Sequence, residues 1–92
     1  MAQSILGSLY RDGDGVKQDH AQASLWFRLA ADQGDASAQY CLGCSFEDGE
    51  GVRQDHAEAV KWYRLAADQG YADAQFALGF AFEYGEGVQE RR

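Results

Sequence analysis

Proline is missing from this 92-residue chain, and bases are scarce beside acids: Lys and Arg number 8 against 15 Asp and Glu, a net charge of −7. The absence of proline, with frequent Ala, Leu, Gln and Glu, suits helices. The acid excess argues against a nucleic-acid backbone as the main partner. It favours a basic peptide or protein surface, or serves solubility alone. Two cysteines, Cys41 and Cys44, make no disulfide framework. No apolar run approaches the ~20 residues of a membrane span. The opening Met1-Ala2-Gln3-Ser4 lacks the basic start and apolar core of a signal peptide. The chain is therefore expected to be cytoplasmic, a leader removed from a longer precursor aside.

What the chain does have is repetition. A glycine turn, an Asp helix start, an amphipathic helix and a glycine stop run from Gly49 to Gly70, and the same unit runs from Gly13 to Gly34. The offset of 36 that carries Gly34 to Gly70 also carries Asp19 to Asp55 and Trp26 to Trp62. Internal repetition at fixed period is the signature of stacked repeat architectures.

Each unit contains two helices, A and B. Helix A begins near Ala2 with apolar residues Ala2, Leu6, Leu9 and Tyr10, and recurs as Ala38, Leu42, Ser45, Phe46 and as Ala74, Leu78, Ala81, Phe82. A glycine follows each leucine, at Gly7, Gly43 and Gly79. Mid-helix glycine costs ~1 kcal/mol against alanine, so its recurrence predicts close approach of the partner helix. The loops Asp12-Gly13-Asp14-Gly15-Val16 and Asp48-Gly49-Glu50-Gly51-Val52 supply left-handed positions that end helix A. The loop valine is expected to tuck into the hairpin. Asp19 and Asp55 are expected N-caps, with Gln22 and Glu58 at capping-box spacing. Helix B then spans about 20–33 and 56–69. Its stripe is Ala23, Trp26, Phe27, Ala30, Ala31, repeated as Ala59, Trp62, Tyr63, Ala66, Ala67. Asp35 can cap the next helix A, whereas Tyr71 cannot do so by its side chain. The third copy keeps Gly85 to Val88, but Arg91 and Arg92 stand where Asp and His would be. The last helix A should therefore leave one flank exposed.

Chemical motifs are weak. Cys41 and Cys44 are spaced C-x-x-C but lie inside a helix, not at the N-terminus where a dipole lowers a thiol pKa; packing or groove lining is the better reading. Asp12-Gly13-Asp14-Gly15 is followed by Val16 and Lys17, not the ligands of a calcium loop. Gly13-x-Gly15 lacks the third glycine and the preceding strand of a dinucleotide site. His20 and His56 sit one repeat apart, too distant to share a zinc. The many carboxylates, among them Asp12, Asp14, Glu50 and Glu86, include no isolated acid-base pair. No catalytic residue, cofactor or metal is expected.

Leu42-Gly43-x-x-Phe46 followed by Ala59-x-x-x-Tyr63, and Leu6-Gly7-x-x-Tyr10 followed by Ala23-x-x-x-Phe27, are similar to the tetratricopeptide pattern. The departures are Gln3, Gln39 and Gln75 where that pattern has Trp, the missing late Pro, and a period of 36 rather than 34. With the Gly-x-Gly-Val loop they resemble the Sel-one-like repeat family, over almost the whole chain. The resemblance implies an all-α, right-handed α-solenoid of five antiparallel helices in A-B-A-B-A order. It forms one domain over 1–92, divided into repeats 2–37 and 38–73 and a half repeat 74–92. Trp26 and Trp62 should be buried between layers. The resemblance also implies an adaptor role without catalysis. Its disulfide-rich secreted branch is disfavoured, since paired cysteines are lacking.

By analogy with that fold the A helices line a concave face. Its residues would be Ser4, Ser8, Tyr40, Cys44, Phe76 and Phe80, with Arg11, Asp12, Glu47, Asp48, Glu83 and Tyr84 at the rim. An aromatic floor with an acidic rim suits a peptide that carries Lys or Arg beside an apolar anchor. The alternative for Phe76 and Phe80 is that they only cover core. A self-assembling structural protein, pairing through helix 72–84, is the second functional reading. A small hydrolase is the one the residues support least.

Overall fold

The computed structural model describes residues 2–13 and 15–84, with side-chain surroundings for 5–13 and 15–81. Five helices follow one another: α1 (Ala2–Asp12), α2 (His20–Asp32), α3 (Ala36–Asp48), α4 (His56–Asp68) and α5 (Ala72–Tyr84). No strand occurs among the described residues. The main packing of each helix is on the one before and the one after it. The result is an elongated stack, 47 × 24 × 17 Å.

The helix ends follow from the residues that flank them. The Asp19 carboxylate accepts from the Gln22 amide and that of Asp55 from the Glu58 amide, each at 3.1 Å. Asp35 does the same for Ala38 at 3.1 Å, so three of the orphan amides of helix starts are satisfied. At Tyr71 the backbone carbonyl alone takes the amides of Ala74 and Gln75. The backbone amides of Asp19 and Asp55, which a reciprocal capping box would bond to Gln22 and Glu58, donate instead to the carbonyls of Tyr10 and Phe46 at 2.8 and 2.9 Å. These bonds tie the start of each B-type helix to the end of its A-type partner. Gly49 ends α3 at φ 72°, its amide bonded to the Ser45 carbonyl, a left-handed stop that a Cβ resists.

Glutamines carry the joints. Gln18 donates to the Arg11 carbonyl at 2.6 Å and Gln54 to the Glu47 carbonyl at 2.8 Å, so each loop glutamine satisfies the C-terminal end of its A-type helix. Gln39 donates to the Ala31 carbonyl at 3.1 Å, and Gln75 repeats this on Ala67 at 3.2 Å. Thus the glutamines that stand where tetratricopeptide repeats have tryptophan close the carbonyl ends of the preceding B-type helices. Gln39 is buried and its own Oε1 accepts from Gln69 at 2.9 Å, as a buried amide requires.

The core lies between α2, α3 and α4. Ala23, Phe27, Ala30, Ala31, Ala38, Leu42 and Trp62 form one buried cluster. Trp62 reaches back from α4 onto the previous repeat and is only 5% exposed, with the Arg28 guanidinium 5.3 Å above its ring. Trp26, expected to be equally buried, is only half-buried. Within residues 1–92 no B-type helix precedes α2, so nothing offers Trp26 the surface that α2 offers Trp62. Val16 departs from expectation for the same reason. It is 38% exposed, whereas Val52 is half-buried against α2 beside Gly51 and Leu25. The loop around Val52 is pinned there by Ser24 Oγ donating to the Glu50 carbonyl at 3.2 Å.

The recurrent glycine behaves as expected twice. A Cβ on Gly7 would stand 2.7 Å from the Phe27 ring, and one on Gly43 2.7 Å from the Tyr63 ring. Both distances are far below carbon–carbon contact. At Gly79 nothing lies within 4 Å, because no described helix occupies that side of α5. The exposed flank of the last A-type helix is therefore present, with Phe76 78% and Phe80 50% exposed.

Candidate interaction surface

On the side where α3 and α5 face each other lies a concavity of ≈ 220 Å³. Tyr40 and Glu47 from α3, Tyr63 from α4, and Asp73, Phe76, Ala77, Phe80 and Ala81 from α5 line it. The helical period sets this arrangement: Tyr40 and Glu47 lie seven residues apart on one stripe of α3, and Phe76 and Phe80 four apart on α5.

Aromatic packing holds the α3 wall. The Tyr40 ring lies 5.7 Å from Tyr63 and 5.5 Å from Tyr71, tilted by 37° and 39°. The Tyr63 hydroxyl donates to Cys44 Sγ at 3.6 Å. Burial and then Cys44 push the Tyr63 hydroxyl pKa well above the ordinary tyrosine value. For Tyr40 the hydrogen bond with Cys44 comes first and burial second, in the same direction. Both phenols are therefore neutral donors at neutral pH.

Among the expected groove residues, Tyr40, Glu47, Phe76 and Phe80 come together here, and Cys44 backs the wall through Tyr63. The α1 contribution does not join them. Arg11 lies beside Asp12 at 3.0 Å, reaches Cys41 Sγ at 3.6 Å and covers the Phe27 ring at 5.7 Å. Ser8 is half-buried and outside the concavity. The reason is spacing along the stack: α1 and α5 are separated by a full repeat. The side chains of Ser4, Glu83 and Tyr84 lie outside the described residues. The acidic rim is also more engaged than expected. Asp12 pairs with Arg11, and Glu47 lies 3.6 Å from His56 Nδ1, while Asp48 is exposed and not part of the lining.

Beside the small Ala77 and Ala81 of the lining, Tyr63, Tyr71 and Asp73 escaped sequence reasoning as lining or supporting residues. Tyr63 belongs to the core stripe of its helix and to the groove wall at once, which a one-face reading of helix B conceals. Tyr71 and Asp73 lie in the short connection to α5 and its first turn; the signal available was the replacement of the capping Asp35 by Tyr71 at the repeat offset. The cysteines are unpaired. Cys41 packs against Arg11, and burial raises its thiol pKa despite that neighbouring cation. This is the environment of a packing cysteine rather than an activated one.

The comparisons agree with this architecture. The model of the Sel1 repeat matches three times, over residues 1–35, 36–71 and 72–91. A comparison with curated proteins finds no match. Among solved structures, the chain is similar to c5321, a protective antigen of uropathogenic Escherichia coli with an SLR fold, at 46% identity and TM-score 0.94 over 96% of this chain. A Sel1 repeat protein from Oxalobacter formigenes is 43% identical with TM-score 0.94 over 98% of this chain. Helicobacter pylori cysteine rich protein B is 30% identical with TM-score 0.78 over 83%. The chain spans 19%, 37% and 57% of the lengths of these three. With the repeat matched from one end to the other and the helices stacked as in these structures, the chain belongs to the Sel1 repeat family.

Proposed function

We propose that residues 1–92 form a non-catalytic interaction module that holds a protein or peptide against the concavity between α3 and α5. The single observation behind this reading is the grouping of Tyr40, Phe76 and Phe80 with Glu47 and Asp73 around one ≈ 220 Å³ hollow. Aromatic side chains supply contact area with little rotamer entropy to lose. Carboxylates beside them favour a ligand bearing Lys or Arg, as does the net charge of −7. Proteins of this repeat family generally serve as interaction scaffolds, which supports the same reading.

The test is binding of fluorescent peptides that pair one apolar anchor with Lys or Arg. Tyr40→Ala with Phe76→Ala should weaken binding at least tenfold while far-ultraviolet circular dichroism stays that of the parent. Equal affinity in the double variant refutes the groove. The exposure of Phe76 also favours a second reading, self-association through helix 72–84; sedimentation as a monomer at high concentration removes it.

A further inference from the structure

The concavity between α3 and α5 gathers many rings around little space. Tyr40 on α3, Tyr63 on α4, and Phe76 and Phe80 on α5 border one hollow of ≈ 220 Å³, together with the carboxylates of Glu47 and Asp73. No Lys or Arg of the described residues lines it. The face of an aromatic ring is the negative part of its quadrupole, so rings grouped around one space attract a cation there. We propose that this hollow is a cage for the trimethylammonium head of a methylated lysine carried by a protein or peptide partner. This assignment rests on the concavity being a binding groove, and it names the chemistry of the ligand.

Three features favour a quaternary cation over a bare ammonium. The first is the placement of charge. Asp73 stands in the first turn of α5 and Glu47 in the last turn of α3, and Glu47 lies 3.6 Å from His56 Nδ1. Carboxylates so placed make the hollow negative without converging as a pair on one ligand N–H. A lysine ammonium brings three donors to satisfy and a tightly held hydration shell. A trimethylammonium has no N–H at all and gives up its water more easily. The second feature is the state of the phenols. Burial and the contact with Cys44 raise the pKa of Tyr63 and Tyr40, so neither is a phenolate that would pair directly with an ammonium. The Tyr63 hydroxyl is engaged with Cys44 Sγ at 3.6 Å. The third is exposed ring surface. Phe76 and Phe80 lie four residues apart on one stripe of α5, and both are exposed. Methyl groups gain by burying that surface, which an ammonium does not. The net charge of −7 attracts any cationic ligand; the rings select among them.

The probes are three fluorescein-labelled peptides that differ at one position only. That position holds lysine, trimethyllysine, or the uncharged tert-butyl isostere of trimethyllysine, beside one apolar anchor. Titrated into the intact chain and read by anisotropy, the trimethyllysine peptide should bind at least about fivefold tighter than either of the others. Phe76→Leu with Phe80→Leu keeps apolar bulk on the exposed side of α5 but removes the ring faces. It should weaken trimethyllysine binding at least about fivefold and lysine binding at most about twofold, with far-ultraviolet circular dichroism unchanged. A lysine peptide that binds as tightly as the trimethyllysine peptide overturns the cage and leaves the groove standing. An isostere that binds as tightly does the same, since the hollow would then read shape and not charge. Absence of binding by all three overturns the groove and the cage together. Free choline that binds as tightly as the trimethyllysine peptide overturns the assignment to a protein side chain and gives the hollow to a small quaternary amine.

Discussion

Replacing Gly43 and Gly79 by alanine should have opposite effects on stability, although the two occupy the same register of the same helix type. Each substitution removes a mid-helix glycine and gains up to about 1 kcal/mol in helix propensity. At Gly43 the new Cβ would stand 2.7 Å from Cδ1 and Cε1 of Tyr63 and 3.2 Å from the Ala59 carbonyl oxygen. Tyr63 is buried and wedged between Tyr40 and Cys44, so the ring cannot swing aside without moving α4. Overpacking of this kind costs ~1–3 kcal/mol, which outweighs the propensity gain and leaves a net loss of about 1 kcal/mol. At Gly79 nothing lies within 4 Å, so the gain survives. The two variants should differ by roughly 2 kcal/mol, or about 8–16 °C in Tm for a chain of this size. Thermal melts followed by circular dichroism, with Gly7→Ala as a second crowded case against Phe27, decide it. If Gly43→Ala melts as high as Gly79→Ala, the close approach of α4 to α3 is not what the glycine is for.

Gly51→Ala should be destabilising by at least 1–3 kcal/mol, because its φ is 77° and a Cβ would run into the His20 carbonyl. Gly15→Ala, at φ 82° with open space around it, should cost less; urea unfolding of both variants ranks them. Gln39→Leu leaves the Ala31 carbonyl without its side-chain donor and the Gln69 amide with only the Gly34 carbonyl, and should cost about 1–3 kcal/mol by the same assay. Alkali should weaken the fold. The tyrosines Tyr63 and Tyr40 and the Cys41 thiol have folded-state pKa values above their ordinary 10.0 and 9.0. Their contribution is complete below pH about 9 and is lost as pH climbs through the ordinary values toward the raised ones. The urea midpoint should therefore hold from pH 7 to 9 and fall above it, and a midpoint that rises above pH 10 contradicts the burial of these groups.

Much of the architecture was legible because each unit announces its own ends. Asp19, Asp35 and Asp55 mark helix starts, Gly49 marks a stop, and the Ala-Trp-aromatic-Ala stripe fixes which side of the second helix is buried. What could not be read residue by residue was the effect of position in the stack. Trp26 and Val16 hold the same positions in the repeat as Trp62 and Val52, yet they are more exposed, since burial here is conferred by the neighbouring unit. Of the hydrogen-bonding glutamines, Gln39 and Gln75 were visible only as departures from a pattern and Gln18 and Gln54 carried no signal; their carbonyl partners lie across a hairpin or a repeat joint. In the candidate site, Tyr40, Phe76 and Phe80 are expected from their register on the first helix and Glu47 from that helix's end, and one concavity brings the four together. Tyr63 was missed as a wall residue because its ring serves the core with one edge and the groove with the other.

Since each helix packs mainly on its immediate predecessor and successor, the chain can assemble by short loop closures, without first bringing distant segments together. Such local topology favours rapid folding. It also means that order is lost from the extremities inward. Amide hydrogens of α2, α3 and α4, flanked on both sides, should exchange with solvent last, while those of α1 and α5 should exchange early.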